Sequence, residues 1–109
     1  ATPDEAHRQA LALLERQERP SAIFAASDSL ALGVLRAARE RNVRVPDELA
    51  ILGFDDLDFS EFIGLSTISQ SLETSGRQAV DLLLAAIADP QPLTRHVQAP
   101  LRLVERNTT

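Results

Sequence analysis

The chain has no cysteine, methionine, tryptophan or tyrosine, and four phenylalanines are its only aromatic residues. Without cysteine there is no disulfide and no thiolate metal site. The absence suits a reducing compartment. With aromatics at 4%, the core must be aliphatic, and the dominance of Leu and Ala favours helix-rich packing. Positive charge is also in deficit: 11 Lys and Arg against 16 Asp and Glu give a net charge of −5. Such a chain is a poor phosphate binder by itself, because counterion release needs clustered cations. A basic module elsewhere in a longer parent remains compatible with this balance. No apolar run reaches the roughly 20 residues that a membrane span requires. The opening ATPDEAHRQA lacks the basic-then-apolar order of a secretory signal, and its first residue is not Met, so a truncated start is expected.

What remains is 109 residues, 44% of them hydrophobic, enough for one domain or part of one. Thr2-Pro3-Asp4-Glu5 reads as a capping box opening a helix, with Ala6, Ala10, Leu13 and Leu14 on one face, fading near Arg19-Pro20. Ile23–Ala26 and Leu49–Phe54 are continuous apolar runs of the buried-strand type. Between them lies a helix with Leu30, Val34, Leu35 and Ala38 on its apolar face, capped by Ser27 or Asp28. Asp55–Leu65 reads as irregular, and Thr67–Ser69 as a short extended piece. Leu72–Ala88 is a third helix with Ala79, Leu82, Leu83, Ala86 and Ile87 on its inner face, stopped by Asp89-Pro90-Gln91-Pro92. His96–Ala99 and Leu101–Val104 could form a hairpin or separate extended segments, and Arg106–Thr109 is expected to fray. Strand and helix in alternation imply right-handed crossovers and a parallel sheet. The strands are too few for a complete doubly wound sheet, so the expected fold is an α/β fragment whose neighbouring strands lie elsewhere in a parent.

Each strand ends in a polar outcrop, Ser27-Asp28 and then Asp55-Asp56, where open parallel sheets place their ligands. The acidic pair has three readings: a divalent-cation site, loop solvation with a turn, or a carboxylate accepting ligand hydroxyls. Adjacent residues on an extended strand point apart, and no calcium-loop spacing is present, which weighs against the cation. Ser27 and Asp28 can be a helix cap, part of a binding rim, or both. Neither His7 nor His96 sits in a nucleophile pattern, since no Gly-x-Ser-x-Gly elbow exists; the first reads as a solvated helix residue, the second as an edge residue. None of the four glycines makes a phosphate loop. Gly33 inside a helix suggests close approach of another element, and Gly53 inside a strand suggests tight packing or a bend. Arg36, Arg39, Arg41 and Arg44 lack interleaved aromatics and read as a solvated face. Phe59, Phe62 and Ile63 are either a satellite cluster over the core or a partner-facing patch.

Four ordered stretches carry a family resemblance: RPSAIFAASDSLALG (19–33), RVPDELAILGFDD (44–56), STISQ (66–70) and SGRQAVDLLL (75–84). Together they make the chain resemble the effector-binding domain of lactose/galactose-repressor-type bacterial transcription regulators, from Thr2 to Arg106. The resemblance implies a periplasmic-binding-protein-like α/β fold of two subdomains with effector between them, of which this chain is the C-terminal portion. Residues 1–69 would belong mainly to the C-terminal subdomain, 70–99 to a crossing segment, and 100–109 to a returning strand and tail. A DNA-reading helix-turn-helix would lie upstream.

By the same resemblance, Asp55, Ser27, Gln70 and Leu72 would contact the effector, a small carbohydrate or nucleoside-like molecule. Ser27 departs from the Asn frequent at that position, and a hydroxyl makes fewer hydrogen bonds than an amide. The loop from Asp56 to Thr67 is short for the family and lacks its usual proline pair. Leu32, Phe59 and Phe62 would face a second subunit in a twofold homodimer. The implied protein is a cytoplasmic ligand-sensing regulator, not an enzyme, with no cofactor, no metal and no membrane contact, reaching DNA only through the upstream module. The alternative on the same fold is a periplasmic sugar-binding protein of a transport system.

Overall fold

The computed structural model describes residues 1–89 and 96–109. Helix α1 (Pro3–Leu14) opens with the full capping box: Thr2 Oγ1 accepts the Glu5 amide at 3.2 Å, and Glu5 Oε2 accepts the Thr2 amide at 3.1 Å. It ends earlier than expected, because Arg16, Gln17 and Glu18 offer nothing apolar to bury, and Arg19 Nε instead donates to the Leu14 carbonyl at 3.1 Å. Strand β1 (Ala22–Phe24), helix α2 (Asp28–Glu40) and strand β2 (Ala50–Leu52) form a β-α-β unit with the strands parallel, Ile23 beside Ile51.

The stretch after β2 is not wholly irregular. It contains a short helix α3 (Asp58–Phe62), which leads to β3 (Thr67–Ser69). Parallel bridges from Leu52 to Ser66 and from Asp55 to Ser69 set β3 against the far side of β2. Helix α4 (Leu72–Ala88) follows; the Pro90-Gln91-Pro92 stop predicted after it lies outside the described residues. Strand β4 (Arg102–Val104) returns antiparallel to β3, with Leu103 beside Ile68. Residues 96–99 form no strand, so β4 finds its partner in β3 rather than in a terminal hairpin.

The core is aliphatic, as the composition requires. Leu49, Ile51 and Leu65 are fully buried, and α1 lays Ala10 and Leu14 against Ala31, Val34, Ala37 and Ala38 of α2. Burial of each large aliphatic side chain contributes about 1.5–3 kcal/mol. Gly33 explains how closely the two helices approach. A Cβ there would lie 2.7 Å from the His7 amide nitrogen and 3.0 Å from Ala6 Cβ, and would collide with the Pro3 carbonyl oxygen. His7 is not a solvated residue: its ring is 14% exposed and bonds through Nε2 to Glu40 at 3.0 Å, tying α1 to the end of α2.

One further expectation fails. The C-terminal tail does not fray. Thr108 is buried, its carbonyl accepts the Ile51 amide at 2.7 Å, and its hydroxyl donates to the Ile51 carbonyl at 2.7 Å while accepting the Ser66 amide at 2.8 Å. Helix α4 has the expected span, but none of its residues is buried. Ala79, Leu83, Ala86 and Ile87 are exposed and Leu82 is only half-buried, because the described residues supply no layer for that face to pack on.

Candidate functional site

Strands β1 and β2 run off the same edge of the sheet. The Ala25 amide donates to the Leu52 carbonyl and the Asp28 amide to the Phe54 carbonyl, both at 2.8 Å. Ser27 and Asp55, each the first polar residue after its strand, therefore emerge on one rim, behind the edge-to-face pair of Phe24 and Phe54. Ser27 acts as a helix cap, its hydroxyl oxygen accepting the Leu30 amide at 3.2 Å. Its proton is still free to be donated.

The turn at Asp55-Asp56 is left-handed at both residues, with φ of 116° and 54°. Aspartate tolerates this region better than most residues, but such backbone persists only where its surroundings fix it. The two carboxylates are used differently. Asp56 Oδ1 accepts Arg106 from the returning chain at 2.9 Å, and the same guanidinium donates to the Leu65 carbonyl at 2.8 Å. Asp55 Oδ1 accepts the Gln70 side-chain amide at 2.5 Å. Asp55, Asp56, Ser69, Ser71 and Leu72 line an open recess of about 620 Å³, and Gln70 lines the neighbouring one with Ser75, Gln98 and Pro100. Asp55, Gln70 and Leu72 are thus gathered at the start of α4, whereas Ser27 shares the rim without lining that recess.

Asp28, which the sequence offered as a cap, a rim residue or both, is fully buried and lies behind the rim rather than on it. Its carboxylate accepts the Leu57 amide at 2.9 Å, the Ser60 hydroxyl at 2.5 Å and the Thr67 hydroxyl at 2.6 Å. Gly53 makes room for it, since a Cβ there would collide with Asp28 Oδ1. Ser60 and Thr67 stand at no spacing from Asp28 that could announce this cluster in the sequence.

The geometry is that of an open polar rim. Among the described residues no group of three or more His, Asp or Glu side chains is placed to hold a metal ion, and no helix is long and apolar enough to cross a membrane. The arginines of α2 and the turn after it are largely engaged: Arg36 with Glu40, Arg41 with Glu15, Arg44 with Glu48.

The family model of the periplasmic binding protein-like domain matches residues 1–109. The chain belongs to that family, in its LacI-type branch. It is 31% identical over 98 residues to the HTH-type transcriptional repressor PurR of Vibrio atlanticus, covering 88% of this chain and 29% of that protein. It is 38% identical over 80 residues to the ribose operon repressor of Haemophilus influenzae, covering 72% of this chain and 24% of that one. Among solved structures, a LacI family transcriptional regulator from Enterococcus faecium with bound ribose superposes with a TM-score of 0.89 at 28% identity, covering 99% of this chain and 40% of that one. The LacI-type chain therefore spans under a third of the length of these curated relatives.

Proposed function

We propose that this chain is the ligand-sensing and dimerisation part of a cytoplasmic LacI-type transcription regulator, and that its effector is a small polar molecule, a sugar. The observation that carries this reading is the paired donor and acceptor on the rim. Asp55 offers a carboxylate acceptor on one open recess, and Gln70, bonded to it at 2.5 Å, offers amide hydrogens on the neighbouring one. A carboxylate can accept two neighbouring hydroxyls, which suits a sugar diol. Leu72, half exposed beside it, supplies an apolar wall, and Ser27 a further hydroxyl on the same rim. Residues 1–69 form one half of the cleft; residues 70–99 cross toward the other half, and 100–109 return. The exposed apolar face of α4, with Val80, Leu83, Leu84 and Ile87, supports this division, because that face needs a second subdomain to cover it.

Sensing needs no covalent chemistry, and the chain is not an enzyme. Effector binding changes subdomain closure and, by linkage, the DNA affinity of a module upstream. The repressor relatives favour this over a transport receptor on the same fold. The parent is a twofold homodimer. Leu32 and Ile63 line one recess of about 440 Å³ with Leu35, Val43 and Val45. Phe62 stands 87% exposed nearby on α3, with Phe59 half-buried behind it. Operator binding by the full-length protein, titrated with sugars, tests the proposal. A sugar-dependent change in DNA affinity supports it; a protein that binds sugar with DNA affinity unchanged contradicts it.

A further inference from the structure

Resting on the effector reading above, we infer that Thr67, acting with the buried carboxylate of Asp28, is a positioning residue for Asp55. The left-handed pair Asp55-Asp56 must be held from outside, and the structure holds it through its amides. The Asp56 amide donates to Thr67 Oγ1 at 3.3 Å, and the Leu57 amide donates to Asp28 Oδ2 at 2.9 Å. Thr67 and Asp28 are joined to each other at 2.6 Å. Thr67 is fully buried at the head of β3, so its hydroxyl lies where no effector reaches it. One hydroxyl thus both donates to the buried carboxylate and accepts from the turn that carries Asp55.

The same strand delivers Gln70 one residue past its end, so Thr67 sets the spacing between the acceptor on the turn and the donor on the crossing chain. Ser60 provides a built-in control. It donates to the same Asp28 carboxylate at 2.5 Å and is equally buried, yet makes no bond to the Asp55-Asp56 turn. A purely structural role would make Thr67 and Ser60 equivalent; a positioning role separates them.

The test compares Thr67→Val, Thr67→Ser and Ser60→Ala in the full-length protein. Amide hydrogen exchange at Asp56 is read by mass spectrometry, and D-ribose, D-glucose and sucrose serve as binding probes. Thr67→Val is expected to speed exchange at the Asp56 amide about tenfold and to weaken whichever probe binds by about tenfold, the scale of one lost hydrogen bond. Thr67→Ser restores both. Ser60→Ala lowers the melting temperature but leaves Asp56 exchange and sugar affinity at wild-type values. Unchanged exchange in Thr67→Val, or equal acceleration in Ser60→Ala, overturns the inference, and exchange alone decides if none of the three sugars binds. Sugar affinity that survives Asp55→Ala overturns the effector reading instead, a result the exchange data cannot mimic.

Discussion

Gln70 donates its side-chain amide to Asp55 across 2.5 Å, joining the turn after β2 to the first residue beyond β3. The bond ties the sheet rim to the point where the chain leaves for α4. Replacing the donor by an acid puts two carboxylates in that space. Gln70→Glu is expected to lower the melting temperature at pH 7 by a few degrees, on the order of 1 kcal/mol. Thermal melts of the two proteins check this, and an unchanged melting temperature would show that the Gln70–Asp55 bond contributes nothing to stability.

Gly33 lies in a helix, where Ala is intrinsically favoured by about 1 kcal/mol. The Gly33→Ala variant should nevertheless be destabilised, because the new methyl meets backbone atoms of Pro3 and His7 that cannot swing aside. Overpacking of this kind costs about 1–3 kcal/mol beyond the propensity gain. The urea midpoint measures it; a rise in midpoint would show that α1 and α2 are not in this contact.

Thr108 tests the stitched-in tail. Thr108→Val keeps the shape but removes a buried hydroxyl that serves both the Ile51 carbonyl and the Ser66 amide. Leaving those groups unpaired costs about 1–3 kcal/mol. A variant as stable as the parent chain would mean the tail frays after all.

Acid sensitivity follows from two glutamates. The His7 hydrogen bond, with Arg36 adding to it, holds Glu40 below its ordinary 4.5, and the Arg44 hydrogen bond does the same for Glu48. A carboxylate with a depressed folded pKa favours the folded state above its unfolded pKa. That contribution is lost as the pH falls through the lower folded value. Stability from these pairs should therefore be level from pH 7 to about 5 and decline below about 4.5. His7→Ala should soften the acid decline relative to its own neutral-pH stability, as read from melts across pH 3–7; an unaltered slope would remove Glu40 from the account.

Much of this arrangement was legible in the residues. The capping box at Thr2, the two apolar strands and the order of polar outcrops follow from local rules that tertiary context did not override. Gly33 announced a close helix contact for the right reason. The role of Asp28 was hidden, because three hydrogen-bond partners at positions 57, 60 and 67 become neighbours only after the sheet forms. The tail was misjudged for a similar reason. Arg-Asn-Thr-Thr is polar and terminal, yet β4 pairing with β3 carries it beside Ile51. The inner face read into α4 is real as a pattern, but its partner layer is absent from the described residues.

Effector binding at this rim depends on Asp55, the acid that follows Phe54. Titration calorimetry of the full-length protein against ribose, glucose and sucrose, wild type beside Asp55→Ala, tests it most directly. Loss of a charged acceptor bonded to ligand hydroxyls should weaken binding by about 1.5–3 kcal/mol, ten- to a hundredfold, with the fold retained. Binding of equal strength in the variant would contradict the assignment and move the effector away from this rim.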